Sequence, residues 1–162
     1  MQTHHRVFVA GHRGLAGSAI MRALRRRGYA NLVTRSRAEL DLLDRSAVFD
    51  FFGQQRPDHV FLAAAKVGGI LANRDYPTKF LLENLTIQNK VIEAAHQFGV
   101  RKLLFLGSSC IYPRDCPQPI REDYLLTGQL EATNQAYALA NIAGLKLCAA
   151  YNRQHGDRKS VV

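Results

Sequence analysis

The chain has 162 residues, 47% of them hydrophobic and 22% charged, the make-up of one ordinary globular domain that buries roughly 70% of its unfolded surface. No apolar run approaches the ~20 residues of a membrane span, and the opening Met-Gln-Thr-His-His-Arg has no apolar secretory core, which predicts a cytoplasmic chain with no membrane partner. The net charge of +9 comes without aromatic–basic interleaving or zinc-ligand spacing, so a nucleic-acid partner and a metal site are not expected, whereas a polyanionic small ligand is.

The stretch 6–17 reads Arg-Val-Phe-Val-Ala-Gly-His-Arg-Gly-Leu-Ala-Gly. Val7, Phe8, Val9 and Ala10 form a short apolar run, a buried strand that breaks at Gly11. A helix follows at once, with Leu15, Ile20 and Leu24 on its apolar side and Arg22, Arg25, Arg26 and Arg27 toward solvent. Gly11, Gly14 and Gly17 are spaced G-x-x-G-x-x-G between that strand and that helix. The first glycine permits a tight turn, the second lets a pyrophosphate approach bare backbone, and the third lets the helix pack close to the strand. The helix N-terminus adds free N–H groups and a positive dipole end. Gly11, His12, Arg13, Gly14, Leu15, Ala16 and Gly17 are therefore candidate dinucleotide-binding residues.

Gly28 is placed to end the first helix, and 31–35 reads as a second strand. A carboxylate about 20 positions past the glycines would grip the ribose 2′-hydroxyl of NAD. Here Arg35, Ser36 and Arg37 occupy that place, with Arg13 nearby. Guanidinium in place of carboxylate favours a 2′-phosphate, hence NADP(H). The segment 39–44 reads as a short strand running into a helix start. Asp44 is suited to cap a helix over 45–55 whose apolar face is Val48, Phe49, Phe51 and Phe52. Asp41 and Leu42 are candidates to flank an adenine, Leu42 alternatively being core.

The run 59–65 is nearly all apolar, as expected of a parallel strand covered on both faces. Its end, Ala63, Ala64 and Ala65, leaves room for a flat cofactor. After the loop 66–70, Tyr76-Pro77 opens a long helix to about residue 98, with Phe80, Leu81, Asn84, Ile87, Val91, Ile92 and Ala95 at helical spacing, and Gly99 ends it. The stretch 101–109 is another buried strand, running through Leu106 into Gly107-Ser108-Ser109-Cys110. A proline-containing loop leads to a last helix over about 134–155, and 159–162 begins a further strand. Strands alternating with helices predict an α/β fold with a parallel, doubly wound sheet and helices on both faces. The three cysteines, Cys110, Cys116 and Cys148, make no C-x-x-C pair and read as reduced thiols.

The glycine spacing, the serine at the end of a late strand and the tyrosine on the following helix resemble the extended short-chain dehydrogenase/reductases, whose cofactor domain is Rossmann-type. Ala-Gly-His-Arg-Gly at 10–14, Leu-Ala-Ala-Ala-Lys-Val-Gly-Gly-Ile at 62–70 and Leu-Gly-Ser-Ser-Cys-Ile-Tyr-Pro at 106–113 narrow the resemblance to the GDP-L-fucose synthase family. That resemblance implies NADPH-dependent chemistry on GDP-4-keto-6-deoxy-D-mannose: 3,5-epimerisation, then reduction of the 4-ketone. It implies that Ser108 bonds the ketone oxygen, that Tyr137 donates a proton to it, and that Cys110 is an acid/base group of the epimerisation. Leu106, Gly107, Ser108, Tyr137 and Asn141 would join the cofactor contacts. It further implies a homodimer through the long helices, unless their apolar stripes face only the sheet.

Two departures stand out. The family carries Tyr-x-x-x-Lys, and this chain reads Tyr137-Ala-Leu-Ala-Asn141; residues four apart share a helix face, so the cation beside the phenol is missing. Lys146, nine residues on, faces the other way. The family's members are also about twice this long. The chain is thus expected to be one NADP-binding domain over 1–162, truncated in its last strand, with the substrate domain absent. A catalytically inert NADP(H)-binding fragment, or a relative acting on another nucleotide sugar as an epimerase or dehydratase, are the alternatives.

Overall fold

The computed structural model describes residues 1–157 and 159–161. Five strands, β1 (Val7–Ala10), β2 (Leu32–Val33), β3 (His59–Leu62), β4 (Lys102–Phe105) and β5 (Lys159–Val161), form one parallel sheet in the order β2-β1-β3-β4-β5. Between them run α1 (Leu15–Arg26), α2 (Arg45–Gln55), α3 (Ile70–Asp75), α4 (Pro77–Gln97) and α5 (Gln135–His155). The chain leaves β1 toward one edge of the sheet and leaves β3 toward the other. Right-handed crossovers in opposite directions put their helices on opposite faces. The order therefore reverses between β1 and β3, and a crevice opens beyond their carboxyl ends.

Alternation along β1 feeds both faces. Val7 and Val9 pack with Met21 and Leu24 of α1. Phe8 and Ala10 point into the larger core, where α2, α4 and α5 lay down Val48, Phe52, Val91, Ile92 and Cys148. A fully buried Phe52 or Val48 contributes roughly 1.5–3 kcal/mol over its exposed state. The expected start of α2 holds: the Asp44 carboxylate accepts from the Ala47 N–H at 3.2 Å, and Val48, Phe51 and Phe52 are buried. Pro77 sits in the first turn of α4, and Gly28 and Gly99, at φ +77° and +70°, end α1 and α4 in the left-handed conformation.

The structure corrects four expectations. Residues 39–44 form turns, because side chains compete for the backbone: the Ser36 N–H and hydroxyl donate to Glu39, and the Leu43 N–H donates to Asp41 Oδ1. The second strand is confined to Leu32–Val33 at the sheet edge, where β1 alone pairs with it. Leu15 is 93% exposed, since the first turn of α1 projects past the sheet; Met21 takes its expected place in the core. An additional helix, α3, follows Gly68-Gly69, with the Asn73 amide donating to both glycine carbonyls at 3.0 and 3.1 Å. β5 pairs in parallel with β4, Leu103 facing Lys159. The expected cut at Val162 lies outside the described residues.

Candidate functional site

A cleft of about 790 Å³ opens where the strand order reverses, within the size range of small-molecule sites. Its floor is the glycine loop. Gly11 has φ +82°, and a Cβ there would meet the Ala63 and Ala64 backbone at 2.7 Å, so glycine alone lets the ends of β1 and β3 run this close. Gly17 is equally constrained: a Cβ would stand 2.1 Å from the Gly11 carbonyl oxygen. At Gly14 the nearest atom to such a Cβ is the Gly11 oxygen at 3.4 Å, and its backbone lines the cleft. Gly14 caps α1 without a side-chain bond, and the first turn of α1 carries no acid. Its N–H groups and dipole are thus left for an anion. The His12 ring also lines the cleft, its Nδ1 buried without a hydrogen-bond partner.

Most of the residues singled out in the sequence meet here. His12, Arg13, Leu15, Ala16, Arg37, Asp41, Leu42, Ala63, Ala64, Ala65, Leu106, Gly107, Tyr137 and Asn141 line the cleft with Gly11 and Gly14. Gly17 lies behind the loop as a packing residue. Leu42 lines the cleft and also packs against the core. Ser108 and Cys110 are not in the lining; Ser108 opens instead on a second cavity of about 610 Å³ between the end of β4 and α5.

Electrostatics ties Ser108, Cys110 and Tyr137 into one neighbourhood. Burial pushes the Cys110 thiol above its ordinary value, with a Ser108 hydrogen bond acting the other way. Burial likewise raises the Tyr137 hydroxyl, Asn141 opposes this, and the charge of Cys110 adds to it. Both groups are therefore proton carriers held protonated at neutral pH, able to donate and not set up to be anions. Lys146 is exposed and outside the cleft.

The sequence reading missed Asn84 and Gln88. Their signal was a polar pair four apart on an otherwise apolar helix stripe. Asn84 grips the loop after β3: Oδ1 accepts from the Lys66 N–H at 2.7 Å, and Nδ2 donates to the Lys66 and Phe80 carbonyls at 3.0 and 2.8 Å. Gln88 Nε2 donates to the Ala140 carbonyl at 2.7 Å, between Tyr137 and Asn141 on α5. Arg35, Ser36 and Arg37 line the cleft past β2 as expected, and a carboxylate that the sequence did not suggest stands beside them. The turn at 36–39 folds Glu39 back onto Ser36, with 2.7 Å bonds from both its N–H and its hydroxyl.

A model of the NAD dependent epimerase/dehydratase family matches residues 7–162. The chain belongs to that family. It is 60% identical over 158 residues to the GDP-L-fucose synthase of Escherichia coli K12, covering 97% of this chain and 49% of that protein. It is 59% identical to GDP-L-fucose synthase 1 of Arabidopsis thaliana over 93% of this chain and 47% of the other. Among solved structures, it is similar to MlghC, a GDP-mannoheptose C4 reductase from Campylobacter jejuni with NADP bound, at TM-score 0.96 and 41% identity, covering 99% of this chain and 51% of that one. The chain spans about half the length of the curated relatives it matches. No described helix is long and apolar enough to cross a membrane.

Proposed function

We propose that this chain is the NADP(H)-binding domain of a GDP-L-fucose synthase-type enzyme, which epimerises GDP-4-keto-6-deoxy-D-mannose at C3 and C5 and reduces it at C4. The observation that carries the reading is that the bare glycine loop, the arginines at the end of β2 and the Tyr137 phenol line one cleft. In this reading the N–H groups of the first turn of α1 hold the diphosphate where it passes the bare Gly14 backbone, and Arg13 and Arg37 hold the ribose 2′-phosphate. The cofactor, when bound, supplies the hydride. Tyr137 donates its proton to the oxygen left on C4, Ser108 orients that oxygen, and Cys110 is the acid that returns a proton to the carbon beside the ketone after a separate base has removed one. The remaining sugar-nucleotide contacts would come from elements corresponding to the other half of the relatives.

The reading extends to a cytoplasmic homodimer associating through α4 and α5, which leave Leu82 and Leu139 63% and 44% exposed, with no nucleic-acid or membrane partner. A second reading, binding of NADP(H) without turnover, is favoured by Asn141, a neutral amide where the family carries a lysine.

Titration of nicotinamide fluorescence tests cofactor choice. NADPH is expected to bind at least tenfold more tightly than NADH, and Arg13→Ala with Arg37→Ala to abolish the difference; equal affinities in the unaltered chain would refute the NADP(H) reading. An assay of GDP-4-keto-6-deoxy-D-mannose reduction, with Asn141→Lys alongside, separates the two readings. Turnover by the unaltered chain supports the enzyme, and turnover that appears only with Asn141→Lys supports the second.

A further inference from the structure

We infer that Glu39 is a specificity-determining residue of the cofactor site, an internal carboxylate that competes for the donors and the guanidinium field a ribose 2′-phosphate would use. The inference rests on the NADP(H) reading above.

The turn after β2 closes when the Glu39 and Leu40 N–H groups donate to the Ser36 carbonyl at 3.1 and 3.0 Å. This swings the Glu39 side chain back over the start of the turn. There Oε2 accepts two bonds of 2.7 Å, from the Ser36 N–H and the Ser36 hydroxyl. Arg35, Ser36 and Arg37 line the cleft at this point and Arg13 reaches it from the glycine loop, with Glu39 just outside the lining and joined to it through Ser36. Arg37 is itself loosely engaged, its Nε 4.0 Å from Asp41 Oδ1, with both side chains exposed.

An N–H, a hydroxyl and guanidinium groups are the partners a phosphate monoester takes. Here a carboxylate holds the first two and stands in the field of Arg35 and Arg13. The Ser36 bonds, then Arg35 and Arg13, keep the Glu39 carboxyl below its ordinary value, so it carries its charge throughout the neutral range. A phosphorylated ribose arriving beside Arg13 and Arg37 meets that negative charge and finds Ser36 already occupied. An unphosphorylated ribose brings no charge to this place, and with Glu39 Oε2 taken by both Ser36 donors its 2′-hydroxyl gains little from that carboxylate. Glu39 therefore lowers the affinity for NADP(H) and leaves NAD(H) as it was, narrowing the preference that the arginines establish.

Glu39→Gln isolates the charge, because the amide oxygen still accepts both Ser36 bonds and the position is exposed. NADPH and NADH are titrated against the unaltered chain and the variant at fixed low salt, then again at ~0.5 M salt. The expected result is a three- to tenfold fall in the NADPH Kd, an NADH Kd unchanged within twofold, and a gain that shrinks at high salt. No gain for NADPH over NADH, whatever the starting ratio, or weaker NADPH binding, overturns the inference. The NADP(H) reading fails separately, if the unaltered chain binds both cofactors equally. Even then, a gain for NADPH in the variant supports the role given to Glu39.

Discussion

The side-chain amide of Asn141 donates to the carbonyl oxygen of Tyr137, 3.0 Å away and one turn earlier on α5. Asn141 is 5% exposed, and its neutral amide serves the helix backbone and the phenol without bringing a positive charge to either. A positive charge about 4 Å from a phenolate, at an effective dielectric of about 20, is worth about 4 kcal/mol, or about three pKa units. Asn141→Lys is therefore expected to lower the Tyr137 titration midpoint by about one to three units. NMR of the tyrosine rings, assigned with Tyr137→Phe, reads this directly; a midpoint that stays or rises shows that the ammonium turns away.

Gly17→Ala should be among the most damaging small substitutions in the chain. The added methyl would lie 2.1 Å from the Gly11 carbonyl oxygen, a backbone atom, so α1 must move off the glycine loop. An overpacked contact of this kind costs about 1–3 kcal/mol or more, and NADPH binding should be lost with it. Gly28→Ala is the contrast: its nearest neighbour is 3.9 Å away and only φ +77° is strained, so about 1 kcal/mol is expected with binding retained. Urea unfolding of both variants checks the order.

Stability should fall in mild acid because of a histidine pair at the opposite end of the sheet. His59 Nε2 lies 2.8 Å from His5 Nδ1, and both rings are buried. Burial, then the charge of His5, pushes His59 down from 6.5 to about 4. Between those values the unfolded chain binds the proton and the folded chain does not. The contribution is thus complete above about pH 6.5 and is lost as pH falls toward 4, by at most about 3 kcal/mol. Urea midpoints at pH 7, 5.5 and 4.5 should show the decline, and His59→Gln should flatten it. An equal decline in that variant would place the acid sensitivity elsewhere.

Asp44→Ala removes the side-chain acceptor at the start of α2 and leaves the Ala47 N–H without that partner. A loss of about 1 kcal/mol is expected, within the usual range for such caps. Asp44→Asn should recover most of it, because the bond and not the charge is what the helix end requires. Thermal melts of the three proteins decide the point.

The elements legible in the sequence were those with local causes. Gly11, Asp44, Pro77 and Gly99 mark boundaries through their own backbone chemistry, and apolar runs such as 7–10 and 59–62 mark strands through burial on both faces. The segment 39–44 misled because its alternation resembled a strand, while Ser36, Glu39 and Asp41 offered the backbone nearer partners. Leu15 misled for a related reason: periodicity says which side of a helix is apolar, not how far the helix overhangs the sheet.

What the sequence determined by itself, then, was the kind of fold and the anion-receiving loop, since glycine spacing and burial act over a few residues. What only the tertiary structure decided was which distant groups meet. The reversal of strand order between β1 and β3 brings Arg13, Ala63 and Tyr137 around one cleft. The packing of α4 on α5 seats Gln88 against Ala140, and a four-residue turn carries Glu39 onto Ser36. Those contacts depend on how separated segments pack in space, and no short window of sequence contains both partners of the first two. The third lay within one window and was still hidden, because a turn and a strand share the same residues until hydrogen bonds choose between them.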